Sequence, residues 1–212
     1  MSVFRRSTTM SNVPIFVDLQ GYAFNNIFIV KEAAVLWDGE TLSHYVFREP
    51  VPWNLLIKSE KSLVCWLRIH HHGFQWEDGH VSYNQVKSLI NRAIGTESPL
   101  IYVKGLEKKK WFCEILENDV EIETIDVDYE DIARLTNLDV IGTLRCGYHT
   151  RHCAMQNVCK LYKWWFERNK HVKQLWFMLI KWCILHSYDF YFVFYPLHDP
   201  PCNMIYRLSR DI

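Results

Sequence analysis

Cys146, His149 and Cys153 lie close together in the segment CGYHTRHCA, and their types and spacing suggest metal chemistry. Cys146 and His149 are three apart, so one turn can aim both at a single ion. Cys153 falls where the first turn of the next helix is expected. Thiolate and imidazole are the donors that closed zinc sites use. The plainer alternative is that a chain with seven cysteines places two near a histidine by chance and buries the thiols. His70, His71 and His72 also have ligand chemistry, but neighbours along an extended chain alternate faces and cannot all reach one ion. They read as turn and surface residues. Lys108, Lys109 and Lys110, followed by Trp111, would suit a phosphate backbone with a base stacked on the indole. The alternative there is a solvated helix face with Trp111 in the core. Asp18, inside an apolar run, is a carboxylate for a divalent ion or ordinary strand polarity.

These groups need elements to hold them. IFVDLQGY is apolar, β-branched and ended by glycine, and NIFIVKEAAVLW and TLSHYVFREP follow it. Asp38-Gly39 between the latter two is a strong hairpin pair, so three strands in a meander are expected. After Pro50 and Pro52 comes a mixed segment. VSYNQVKSLINRAI then has a helical period, with Ser82 as candidate cap. PLIYVKG reads as a strand, and LEKKKWFCEILE as a helix with Leu106, Trp111, Ile115 and Leu116 toward the sheet. EIETIDVDYEDIARL gives a short strand and an acidic helix start. HCAMQNVCKLYKWWFERN gives a long helix with Ala154, Val158, Leu161 and Trp165 on one stripe, and Trp164, Trp165, Trp176 and Trp182 read as core rather than as a stacking platform. A meander followed by alternating helices and strands predicts an α/β fold with a mixed sheet.

The 212 residues, 49% hydrophobic, suffice for one full core. Lys+Arg and Asp+Glu both number 24, so the chain as a whole offers no field to attract a polyanion and any nucleic-acid contact must be local. An odd cysteine count and no secretory leader before Asp18 predict a reducing compartment, cytoplasm or nucleus. Charged residues interrupt the apolar stretch from Gln174 to Leu197, which argues against a membrane partner. Residues 1–13 read as a flexible start, 14–170 as the folded domain, and 171–212 as an aromatic-rich extension.

Across about residues 14 to 168, the order of landmarks resembles the DEDDh family of 3′–5′ exonucleases, which have an RNase H-like fold. FVDLQG resembles the family's first strand and NIFIVKEAAVL its partner. HHHGFQWEDGHVSYNQVKSLINRAI resembles the His-Gly-Ile turn and following helix, IYVKGLEKKKWF the strand and helix start that supply the next aspartate, and HCAMQN the closing His-x-Ala-x-x-Asp. The resemblance implies an RNase H-like mixed sheet. It also exposes departures: Asp18 is kept, but Gln20, a lysine of the 108–110 run, and Asn157 stand where carboxylates belong. Two-metal hydrolysis needs several carboxylates to hold two cations about 4 Å apart, so that mechanism should be absent.

A narrower resemblance is to the Maelstrom domain, a branch of the same fold in germline small-RNA and transposon silencing that carries a Glu, Cys, His, Cys zinc set. KEAAVLWDGETLSHYVFREPVPW and CGYHTRHCA carry the likeness. It implies Zn2+ held structurally by Glu32, Cys146, His149 and Cys153, with His152 left over from the exonuclease histidine. The implied function is a catalytically degenerate, zinc-stabilised module that binds single-stranded RNA or a protein partner of an RNA-silencing pathway. Two alternatives stand beside it. One is an RNA nuclease cleaving single strands without two metals, with Asp18 or His152 as candidate catalytic groups; the other is a pure scaffold.

Overall fold

The computed structural model describes residues 13–24, 27–95, 100–116, 120–128, 134–135, 145–149 and 151–185, apart from the side chains of 127–128 and 170–185. The expected flexible start up to residue 12, the continuation of the acidic helix, α4 (Ile125–Asp128), beyond Asp128, and the extension after Leu185 lie outside these residues.

The expected meander forms from β1 (Ile15–Phe24), β2 (Ile27–Trp37) and β3 (Thr41–Val46), antiparallel in sequence order. Asp38 and Gly39 both take positive φ, 52° and 72°, as a tight primed turn between β2 and β3 requires, and Glu40 N–H donates to the Trp37 carbonyl at 3.0 Å. β4 (Ile101–Val103) and β5 (Ile122–Thr124) then add in parallel beside β1. The result is an α/β fold with a five-stranded mixed open sheet in the order β3-β2-β1-β4-β5.

Alternation along β1 assigns the two faces. Ile15, Val17 and Leu19 join Val35, Ile101 and Val103 in a core closed by α2 (Val86–Ile94) and α3 (Leu106–Ile115). Phe16 faces the other way, under α5 (Ala154–Leu185), whose Ala154, Val158, Leu161 and Trp165 form the expected buried stripe. Phe16 is fully buried with its ring against Tyr102, Tyr162 and Trp165, so its truncation to alanine would cost about 3–5 kcal/mol. α5 runs unbroken past residue 170. Among the described residues no helix is long and apolar enough to cross a membrane.

Four expectations need correction. The mixed segment after Pro52 contains a helix, α1 (Lys58–His70), which buries Val64 and packs Leu63 and Leu67 beside it. Ser82 makes no side-chain cap; a 3₁₀ turn at Tyr83–Gln85 precedes α2 and uses the Ser82 carbonyl instead. Leu106 is exposed at the open start of α3, and Phe112 is the residue that α3 buries. His72 is fully buried rather than superficial, because residues 72–76 fold under the sheet's end, where Phe74 and Trp76 join the core. His71 is half-buried and His70 exposed.

One irregularity interrupts β2 next to Glu32. Gln20 pairs with Glu32 but Gly21 pairs with Val30, so Lys31 is an extra residue in β2. The insertion reverses the alternation: Val30 sides with Ala33 and Val35 toward α2, while Glu32 sides with Ala34 toward α5. The bulged Lys31 is itself fully buried, and its ammonium donates to the carbonyls of Trp76 (2.8 Å) and Asp78 (2.5 Å). It thereby ties the loop carrying His72 and Phe74 to the sheet.

Candidate metal centre

Three chain segments meet at the start of α5. Cys153 immediately precedes the helix, and its carbonyl accepts the Asn157 N–H at 2.9 Å. His152 reverses the chain just before it in a left-handed conformation, φ 46°, that non-glycine residues seldom adopt. Cys146 and His149 come from the preceding turn, and Glu32 rises from β2 beneath them. One donor atom from each of Glu32, Cys146, His149 and Cys153 lies within 4.8 Å of all the others. The four form a cluster that could hold a metal ion.

Each donor is aimed by a second contact. His149 Nδ1–H donates to the Arg151 carbonyl at 2.6 Å, which turns Nε2 toward Glu32 Oε2, 3.1 Å away. The Phe74 ring lies 4.2 Å from the imidazole, and a Cβ added at Gly73 would sit 3.2 Å from that of His149. Glu32 is fully buried, yet every side of its carboxylate is engaged. Oε1 faces His44 Nε2 at 2.8 Å and Cys153 Sγ at 3.4 Å, and Oε2 accepts the Ala154 N–H at 2.7 Å. The carboxylate therefore also meets the positive end of α5.

The electrostatics follow from these contacts. Burial would raise the Glu32 carboxyl, but hydrogen bonds from His149 and His44 outweigh it and hold the group well below the usual carboxylate range. Burial would likewise lower His149, but its bonds to Cys153 and Glu32 override that and push the imidazole up to about 10. The two sulfurs divide unequally. The hydrogen bond from Cys153 lowers the Cys146 thiol, and the same bond, followed by burial, raises Cys153. Without a metal, the cluster therefore retains protons on His149 and Cys153.

The chain matches no family model and no curated protein.

A second polar cluster lies one helical turn along α5. Asp18 is fully buried, and its Oδ2 accepts from Asn157 Nδ2 at 2.7 Å and Gln20 Nε2 at 3.0 Å. Its Oδ1 takes the ammonium of Lys108. Gln20, Asn157 and Lys108 thus converge on one carboxylate. They supply donors where a divalent cation would need acceptors.

The remaining sequence candidates divide. Lys108 turns inward to Asp18, Lys109 lies 3.5 Å from Glu123, and Lys110 is exposed, so the run does not form one cationic face. Trp111 stacks on Phe28 at 3.4 Å and 1°, as the core alternative expected. His152 stacks on His71 at 4.3 Å and 7°. Burial, followed by His152 and Lys108, lowers the His71 pKa; burial, followed by Lys108, lowers that of His152.

Sequence reasoning missed His44, because a two-residue Asp38-Gly39 turn would set it opposite Ala33 on the other face of the sheet. The register is instead centred on Gly39, with Asp38, Gly39 and Glu40 in the loop, and pairs residue 34 with 44 and 32 with 46. That places His44 diagonally beside Glu32 on the same face. The Ala154 N–H has no sequence signal beyond the helix start itself.

Proposed function

We propose that this protein is a zinc-stabilised, RNase H-like module that acts by binding rather than by two-metal hydrolysis. Its ligand would be single-stranded RNA or a protein partner of an RNA-silencing pathway. One observation carries the reading: Glu32, Cys146, His149 and Cys153, drawn from β2, a turn and the start of α5, converge within 4.8 Å. Two thiolates, an imidazole and a carboxylate are a donor set suited to tetrahedral zinc. With bonds of about 2.0–2.3 Å, ligand atoms sit roughly 3.3–3.8 Å apart. The Glu32–His149 and Glu32–Cys153 separations, 3.1 and 3.4 Å, are close to that already. Four protein donors leave no position for water, so the metal's part is structural.

The Asp18 cluster supports the negative half of the proposal. A lone carboxylate engaged by an ammonium and two amides lacks the charge to hold two divalent cations. The mixed sheet, with its antiparallel meander leading into parallel β4 and β5, is compatible with the RNase H-like expectation. The silencing context rests on the sequence resemblance.

Elemental analysis of the purified full chain tests the metal, with one zinc per chain expected. The Cys146→Ala/Cys153→Ala variant should lose both zinc and the folded circular dichroism spectrum. A fully folded chain that carries no metal would overturn the site. Incubation with labelled single-stranded RNA tests the activity class. Retained binding without cleavage supports the reading, while cleavage by the wild type that Asp18→Ala or His152→Ala abolishes would replace it with a nuclease.

A further inference from the structure

The two sulfurs of the metal centre differ in access. Cys153 is fully buried behind Glu32 at the start of α5. Cys146 is half-exposed on a turn whose neighbours Arg145, Gly147 and Tyr148 all face solvent, and a Cβ at Gly147 would meet nothing within 4 Å. A small oxidant can therefore reach Cys146 first, and the turn has room to carry it toward Cys153, whose sulfur already lies within 4.8 Å.

The other two ligands are provided for if the sulfurs leave. Glu32 and His149 pair directly at 3.1 Å, and the carboxylate keeps His44 and the Ala154 N–H as donors. Loss of metal would thus leave no unpaired buried charge, and a Cys146–Cys153 bond would maintain the link between the turn and α5.

We propose that Cys146 and Cys153 are a peroxide-modified thiol pair, whose oxidation to a disulfide expels the metal. The inference rests on the metal reading above. The Cys146 thiolate attacks a peroxide oxygen, the O–O bond breaks, and a sulfenic acid forms as hydroxide leaves and takes a proton. The Cys153 thiolate then attacks that sulfur, the S–O bond breaks, and the second hydroxide takes a proton. Two thiolates, hydrogen peroxide and two protons give one disulfide and two waters.

The test uses the zinc-loaded full chain carrying Cys65→Ser and Cys113→Ser, which removes the two cysteines that are exposed among the described residues. Hydrogen peroxide is added beside a chromogenic zinc chelator. One zinc released per chain is expected, with loss of two hydrogens by intact mass, a Cys146–Cys153 peptide on mapping, a retained helical spectrum, and rebinding after dithiothreitol. Zinc that stays bound, or zinc released with Cys146 stranded as sulfinic acid, would overturn the proposal. A folded chain with no zinc at the outset defeats the metal reading, and the mass and mapping then decide the disulfide by themselves.

Discussion

Replacing Lys108 by methionine should expose how much of the fold depends on one internal ammonium. Asp18 has no solvent exposure, and its two amide donors both bind Oδ2. Among the described residues Lys108 is what serves Oδ1. The substitution keeps most of the side-chain stem but leaves a buried anion with half of its carboxylate unsatisfied. Removing one partner of a buried pair costs about 3–5 kcal/mol, and the Lys108 side chain, 20% exposed, is screened too little to escape that range. For a domain of this size the loss corresponds to a fall in Tm of roughly 6–20 °C. Asp18→Asn in the same background removes the stranded charge, so the double variant should recover much of the loss, with a coupling of at least about 2 kcal/mol. Urea unfolding of the four proteins at one fixed metal content measures the cycle. Additive effects, or a Lys108→Met loss under about 1 kcal/mol, would refute the assignment of Lys108 as the counter-ion of Asp18.

Two further outcomes follow from the same contacts. The metal-free centre holds a proton on His149, whose pKa stands at about 10, and another on Cys153, which is raised as well. Both must leave when an ion binds, so zinc affinity should climb at least about 100-fold per pH unit through neutrality. Titration calorimetry in buffers of differing ionisation enthalpy should count at least two protons released, and fewer than one would contradict the described protonation. At Gly79, φ is +124° and an added Cβ would lie 2.4 Å from the Phe47 carbonyl group, whereas at Gly105, φ +96°, it would meet nothing within 4 Å. Gly79→Ala should therefore cost about 2–3 kcal/mol in chemical denaturation and Gly105→Ala about 1 kcal/mol, and equal losses would argue against the close approach at Phe47.

Much of the fold was legible because its signals are local. The apolar, β-branched run IFVDLQGY, the Asp38-Gly39 turn and the stripe from Ala154 to Trp165 each depend on residues near one another in the chain, and each element appears where the pattern places it. α1 was not legible, since its apolar residues do not keep to one face: Leu63, Val64 and Leu67 pack inward while Trp66 and Ile69 are exposed. The types and spacing of Cys146, His149 and Cys153 could be read directly, because one short segment contains all three.

What the tertiary structure decided is the orientation of the polar groups. No local pattern says that Lys31 bulges out of register, yet that single extra residue carries its ammonium to the Trp76 and Asp78 carbonyls and so holds the loop whose Phe74 packs on His149. Nor can sequence order show that Lys108, 90 residues beyond Asp18, is its counter-ion, while Lys110 remains in solvent. The sequence by itself determined which donors the chain possesses and the elements that carry most of them. Their convergence depends on strand register and helix placement, which arise from contacts between residues far apart in the chain, and so only the assembled fold could make Cys146, His149 and Cys153 part of a four-donor centre.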